Sequence, residues 1–252
     1  MVRTIAITNQ KGGVGKTTTA INLAAALSVY GKKVLLIDMD PQSSLSASLG
    51  IRAAEQTTYE IMTSPTRAQD ALISREGFDV VPASPQLVGA EIELSATPGR
   101  EYILKEKLEV LIPEYDFIFI DCPPGLGLLT LNALTASREV FIPLQAEYLA
   151  LDGLARLLET VELVKNRLNN KLEITGIIIT RYDQRRRLNR DVIDTIREHF
   201  PDIVFDNPIR ENISLAEAPS YGQHIFEYKT DSAGAADYKA LAQEIIKREV
   251  TP

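Results

Sequence analysis

The 252-residue sequence predicts an α/β fold, a mostly parallel sheet with helices on both faces. Three observations predict it: short Ile- and Val-rich runs recur along the chain, amphipathic stretches alternate with them, and a glycine-rich loop joins the first run to the first helical stretch. Near-continuous apolarity over so few residues is the pattern of a strand buried on both faces. Alternation with helices calls for crossover connections, which make neighbouring strands parallel.

In chain order, TIAIT (4–8) reads as the first strand, and NQKGGVGKTTT (9–19) follows as a loop that runs into the helical pattern at 17–30. KVLLID (33–38), FDVVPA (78–83), FIFID (117–121), EVFIPL (139–144) and ITGIIIT (174–180) read as further strands. Between the last two, Leu151, Leu154, Leu158, Val161, Val164 and Leu168 recur at helical spacing across 147–168, leaving Glu159, Glu162 and Lys165 outside. Near the end, Tyr238, Leu241, Ala242, Ile245 and Ile246 give ADYKALAQEIIKREVTP the pattern of a helix packed on the core. No repeat, low-complexity tract or long linker interrupts the chain, so a single domain over 1–252 is expected.

Composition narrows the function. A formal charge of −7 does not advertise a polyanion partner, so any nucleic-acid contact must come from a local patch. The single cysteine, Cys122, excludes an intramolecular disulfide and suits a reducing cytoplasm. The first residues enter a strand without a leader pattern, and no apolar run approaches bilayer length, so a cytoplasmic protein is expected.

The loop 9–19 carries the chemistry. Strand, glycines, Lys-Thr and helix together form a phosphate-binding loop, whose backbone N–H groups and helix N-terminus point at an anion. A glycine-rich turn that merely caps a helix would not need all four. Gly12, Gly13 and Gly15 allow close backbone approach, Lys16 bridges the terminal phosphates, and Thr17 places its hydroxyl on Mg²⁺. The ordinary pattern asks for glycine six residues before Lys16, where this chain has Gln10, and it does not ask for Lys11 at all. Asp38 and Asp40 end the second strand, and Asp121 ends FIFID as a Mg²⁺-linked carboxylate. One such Asp is more often a turn or cap; three beside a phosphate loop point to the site.

KGGVGKT with its extra lysine, DMDPQ and DCPPG resemble the deviant Walker A P-loop ATPases. LVGAEIEL (87–94), GLGLLTLNAL (125–134), YLALDGL (148–154) and LAEAPSYGQHIFEY (215–228) are similar to ParA-type partition ATPases of the short, Soj-like form, over nearly the whole chain. With the first strand expected near residue 3, the short form without the amino-terminal helix-turn-helix of the longer forms is the expectation. The resemblance implies ATP and Mg²⁺ as ligands, with Lys11, Gly12, Gly13, Val14, Gly15, Lys16, Thr17 and Thr18 around the phosphates. It implies Thr17, Asp38 and Asp121 about the metal, and Asp40 on the attacking water. It also implies a homodimer that sandwiches two ATP molecules, with Lys11 reaching the partner's nucleotide as an arginine finger does elsewhere. Adenine is expected against Arg181, Pro208, Ile209 and Arg210, and residues 40–50 and 121–129 are expected to order around the γ-phosphate.

Relatives bind double-stranded DNA without sequence preference and hydrolyse ATP slowly until a ParB-type DNA-binding or adaptor protein with a basic tail stimulates them. The implied role is segregating or positioning a chromosome, plasmid or other cargo, with a nucleoid-associated location and no membrane contact. Arg185, Arg186, Arg187 and Arg190, with Lys229 and Lys239, are the expected DNA contacts, although a charge run is often only a solvated face. Two departures stand out: Gly125 replaces the serine of DCPPS, and Ser214 replaces a usual basic residue. A MinD-like membrane switch would need a terminal amphipathic helix, and an iron protein like that of nitrogenase would need two cysteines per subunit. A metabolic ATP-dependent ligase would need a second polar pocket and would turn over without DNA.

Overall fold

Strand β1 (Arg3–Ile7) leads into the glycine loop and helix α1 (Lys16–Val29) in the computed structural model, which describes residues 2–147 and 150–248 and, of 150–152, the backbone alone. Part of YLALDGL, including the side chain of Leu151, and residues 249–252 of the tail therefore lie outside the described residues. The other strands are β2 (Val34–Asp38), β3 (Ile73–Arg75), β4 (Phe78–Val81), β5 (Phe117–Asp121), β6 (Glu139–Gln145) and β7 (Glu173–Thr180). They form one sheet in the order β3-β4-β2-β5-β1-β6-β7, parallel throughout except for β3 against β4. The expected fold class is borne out.

Six of these strands were legible as apolar runs. β3 was not, because it is a short antiparallel edge strand whose residues are half-exposed or exposed. Its hairpin turn is Glu76-Gly77, with Gly77 at φ +92°, in the left-handed region that favours glycine.

The helices are α1, α2 (Ser44–Ser48), α3 (Thr58–Thr63), α4 (Leu87–Glu93), α5 (Ile103–Leu108), α6 (Leu128–Ala136) and α7 (Ala150–Arg167) in the first two thirds of the chain. They are followed by α8 (Arg187–His199), α9 (Ile213–Glu217), α10 (Ile225–Tyr228) and α11 (Ala233–Lys247). Strand residues alternate between two cores: Ile118 and Ile120 of β5 face one, Phe117 and Phe119 the other. Leu154, Leu157, Val161 and Val164 of α7 fill the first core. Residues of α1 and α11 fill the second, where Tyr238, Leu241, Ala242 and Ile245 are buried and Ile246 faces out. Among the described residues, no helix is long and apolar enough to cross a membrane.

The topology places the site. β1 and β6 are neighbours whose outgoing connections run opposite ways, from β1 to β2 and from β6 to β7, so a crevice opens between their carboxyl ends, where open α/β sheets bind ligands. The glycine loop emerges there, beside the ends of β2 and β5 that carry Asp38 and Asp121.

Candidate functional site

The loop is held from both sides. Gly13 and Gly15 take φ +74° and +88°, conformations that L side chains disfavour. The Asn9 amide donates to the Pro143 carbonyl of β6 at 2.8 Å and accepts from the Lys11 N–H at 3.0 Å. Thr180, ending β7, donates through Oγ1 to the Val14 carbonyl at 2.8 Å. α1 then starts with no side-chain cap and no acidic residue in its first turn, so its N–H groups and positive end are left for a bound anion. Lys16, in that first turn, is buried.

Beneath the loop, Thr17 Oγ1 donates to Asp121 Oδ2 at 2.7 Å, while Asp121 Oδ1 is buried without a partner. Asp38 pairs with Asp121 in register across β2 and β5. Burial, then the neighbouring Asp38, hold the Asp121 carboxyl well above the usual carboxylate range, against the opposing pull of Thr17 and Lys16. Burial likewise pushes the Asp38 carboxyl up to about 6, against hydrogen bonds from Ser46. Asp38 Oδ2 accepts from the Ser46 N–H at 3.0 Å and its Oγ at 2.7 Å, and Oδ1 accepts from the Asp40 N–H at 3.1 Å. Asp38 therefore organises α2 and the backbone of Asp40, and Asp121 keeps one oxygen free of protein partners. Two buried carboxyls that resist ionising, one with a free oxygen, fit a divalent cation. Among the described residues no group of three or more His, Cys, Asp and Glu is placed to hold a metal ion. Asp40 is buried at the rim, and its Oδ1 accepts from the Gln42 N–H at 2.9 Å.

A pocket of about 430 Å³ continues from the loop, lined by Gly13, Gly15 and Thr18 at one end and Arg181, Ile209 and Arg210 at the other. Three of the four residues expected on adenine thus line one pocket; Pro208 does not, whereas its neighbour Ile209 is buried and does. Arg181 adopts φ +50°, unusual for a residue with a side chain, and its guanidinium lies 3.3 Å from Glu211. Arg210 is gripped by Asp237 at 2.6 Å. Thr180, Asn212, Ile213, Leu215 and Tyr238 complete the wall. Sequence reasoning missed Asn9, Ser46 and Tyr238 as parts of the site; Asn9 and Tyr238 act through partners more than 100 positions away, which no local pattern signals. Lys11 is half-exposed and outside this pocket, with its Nζ on the Glu147 carboxylate.

The arginine cluster is less positive than the sequence suggests. Arg185 pairs with Asp183 at 2.9 Å, Arg186 with Asp183 at 3.5 Å and Glu211 at 3.8 Å, and Arg187 with Asp191 at 3.6 Å. The Arg185 guanidinium holds the Asp183 carboxyl down at about 2. All three guanidinium groups stay largely exposed. Lys239 lies 5.6 Å from the Phe226 ring centre, and Lys229 is on the α10 boundary. At Gly125 an added Cβ would meet nothing nearer than 4.0 Å, so the missing serine is not excluded by space.

A family profile described as an AAA domain matches residues 2–174. Over 249 residues the chain is 50% identical to the sporulation initiation inhibitor protein Soj of Bacillus subtilis, covering 97% of this chain and 98% of that protein. It is 47% identical to the chromosome partitioning protein ParA of Caulobacter vibrioides, covering 98% and 95%. Among solved structures, a cobyrinic acid a,c-diamide synthase of Mycobacterium smegmatis with bound ADP and magnesium superposes with a TM-score of 0.86 at 37% identity, covering 98% of this chain and 95% of that one.

Proposed function

The chain belongs to the Soj/ParA family of chromosome-partitioning ATPases, and from that premise we propose that it pairs on ATP, holds DNA without sequence preference while paired, and lets go when it hydrolyses the nucleotide. The observation that carries this reading is the arrangement beneath the loop: Thr17 on Asp121, an orphaned Asp121 oxygen, and Asp38 ordering the segment of Asp40. ATP would lie with its phosphates over residues 12–18 and its base against Arg181, Ile209 and Arg210. Thr17 and Asp121, with Asp38 behind them, would hold Mg²⁺, which neutralises phosphate charge when bound. Lys16 would reach the terminal phosphates, and Asp40 would accept a hydrogen bond from the attacking water. No other strong base stands in the loop, so hydrolysis is slow until a ParB-type partner stimulates it.

Lys11 supports pairing through its exposure: it is absent from the lining of its own pocket, and its Nζ is held on half-exposed Glu147. Leaving Glu147 for a partner's phosphates would exchange one half-exposed ion pair for a more highly charged partner. DNA would lie on Arg185, Arg186, Arg187 and Arg190, with Lys229 and Lys239 as further contacts, and cytoplasmic, nucleoid-bound protein is the expected result.

The M. smegmatis name favours a second reading, an amide-forming ligase on this fold. Such an enzyme needs an acid substrate beside the γ-phosphate. A second pocket, of about 690 Å³ and lined by Lys33, Asp79 and Tyr115, opens at the amino ends of β2, β4 and β5, on the opposite edge of the sheet. A membrane switch finds less support still, because the apolar face of α11 is already buried. The test is the ATPase rate with and without duplex DNA and a ParB-type partner, together with DNA retention in ATP and in ADP. Stimulation and ATP-dependent retention are expected; a rate indifferent to both overturns the partition reading.

A further inference from the structure

Arg75 lies in β3, the edge strand that the sequence pattern did not reveal, and its half-buried side chain joins two distant segments. Nη1 donates to the Leu49 carbonyl at 2.9 Å and Nη2 to the Gly222 carbonyl at 3.3 Å. Glu227 stands 3.9 Å behind the guanidinium. Each carbonyl closes a helical segment: Leu49 follows α2, and Gly222 follows the turn that α9 runs into. The planar guanidinium fork can bond two carbonyls at once, which an ammonium on a flexible stem does less well.

The two segments also touch directly. A Cβ built on Gly222 would stand 3.1 Å from Gly50 Cα and 3.3 Å from Gly50 N, so backbone packs on backbone there. Both glycines have positive φ, +72° and +69°, which fixes the two turns that make the approach.

Each segment then leads to one half of the site. From Leu49, α2 runs back to Ser46, whose N–H and Oγ hold Asp38, and Asp38 holds the Asp40 N–H. From Gly222, the chain runs back to Ile213, Leu215 and Ala216 of α9, which line the pocket beyond the phosphate loop. The geometry points to Arg75 as a positioning residue that couples the wall of the base pocket to the carboxylate segment 40–50, an inference that rests on the nucleotide reading above. A base seated against α9 fixes the 218–222 turn; Arg75 and the Gly50–Gly222 contact pass that fixation to α2 and hence to Asp38 and Asp40.

Amide hydrogen exchange with two probes, MgADP and magnesium pyrophosphate, tests this. Both fill the phosphate loop, and only MgADP fills the base wall. In the wild type, both slow exchange at residues 12–17, and MgADP slows residues 44–50 more than pyrophosphate does. Arg75→Ala abolishes that extra protection and leaves the loop protection intact. Arg75→Lys, which keeps the charge and can reach one carbonyl, restores part of it, and Gly222→Ala reproduces the loss with Arg75 in place. For ATP hydrolysis, Arg75→Ala lowers kcat about tenfold with KM nearly unchanged, because the two bonds it removes position Asp38 and Asp40 without touching nucleotide. Extra protection that persists in Arg75→Ala, or is absent from the wild type, overturns the coupling alone. Absence of loop protection by either probe overturns the nucleotide reading and the coupling with it.

Discussion

Asp38 is ionised only at a cost, because burial outweighs the three hydrogen bonds it accepts. Its folded-state pKa of about 6 lies above the ordinary 3.8, so the native chain binds the proton more tightly than the unfolded chain does. The stabilisation this gives is fully present below about pH 4 and is lost as pH rises through 6. From the size of the shift it is on the order of 3 kcal/mol. Urea unfolding of metal-free protein should therefore show the stability of wild type, relative to Asp38→Asn, falling by that order between pH 4 and 7.5; a flat difference contradicts the assignment. At Gly125 the space around an added side chain predicts that Gly125→Ser changes stability by no more than about 0.5 kcal/mol in the same assay. Lys16 and Thr17 were legible because a phosphate loop is written in consecutive residues, and Asp121 because it ends the apolar run of β5. Asn9 and Arg75 were not: Asn9 bonds Pro143 and Arg75 bonds Gly222, each across more than 130 positions, and only the folded sheet brings them together.

Elements were legible in proportion to their length and burial. α7 and α11 span enough turns for apolar periodicity to emerge, and the buried face of α11 matches Tyr238, Leu241, Ala242 and Ile245. Helices such as α2 and α9, five residues each, are shorter than a periodic window, and tertiary contacts hold them. Leu241→Ala should cost about 2–5 kcal/mol in chemical unfolding, as a fully buried residue between α11 and α1. A loss below about 1 kcal/mol would mean that the helix does not dock as described. Arg185 and Arg186 precede α8 and Arg187 opens it, and their pairing with Asp183, Asp191 and Glu211 lowers the local charge that sequence counting suggests. Replacing Arg185, Arg186 and Arg187 together by alanine should still weaken ATP-dependent DNA retention and reduce its salt slope by about 2–3, with ATP affinity unchanged. Retention measured across a salt series checks this, and an unchanged slope moves the DNA surface elsewhere.

At the scale of the whole molecule, strand–helix alternation was enough for the fold class, whereas strand order was not, since it depends on which crossovers pass over β5. The crevice beside β1 explains why the phosphate loop, the carboxylates and the base pocket converge from segments spread over most of the chain. In the single chain Lys11 lies on Glu147 and is half-exposed, and its role in pairing is the proposal to be tested. We propose that nucleotide occupancy governs pairing through that lysine. Light scattering of Asp40→Ala in saturating MgATP and in MgADP measures it most directly, with Lys11→Ala/Asp40→Ala as the companion. Asp40→Ala is expected at the mass of two chains in MgATP and one in MgADP, and the double variant at one chain in both; Asp40→Ala at one chain in MgATP, or the double variant at two, would show that nucleotide does not govern pairing through Lys11.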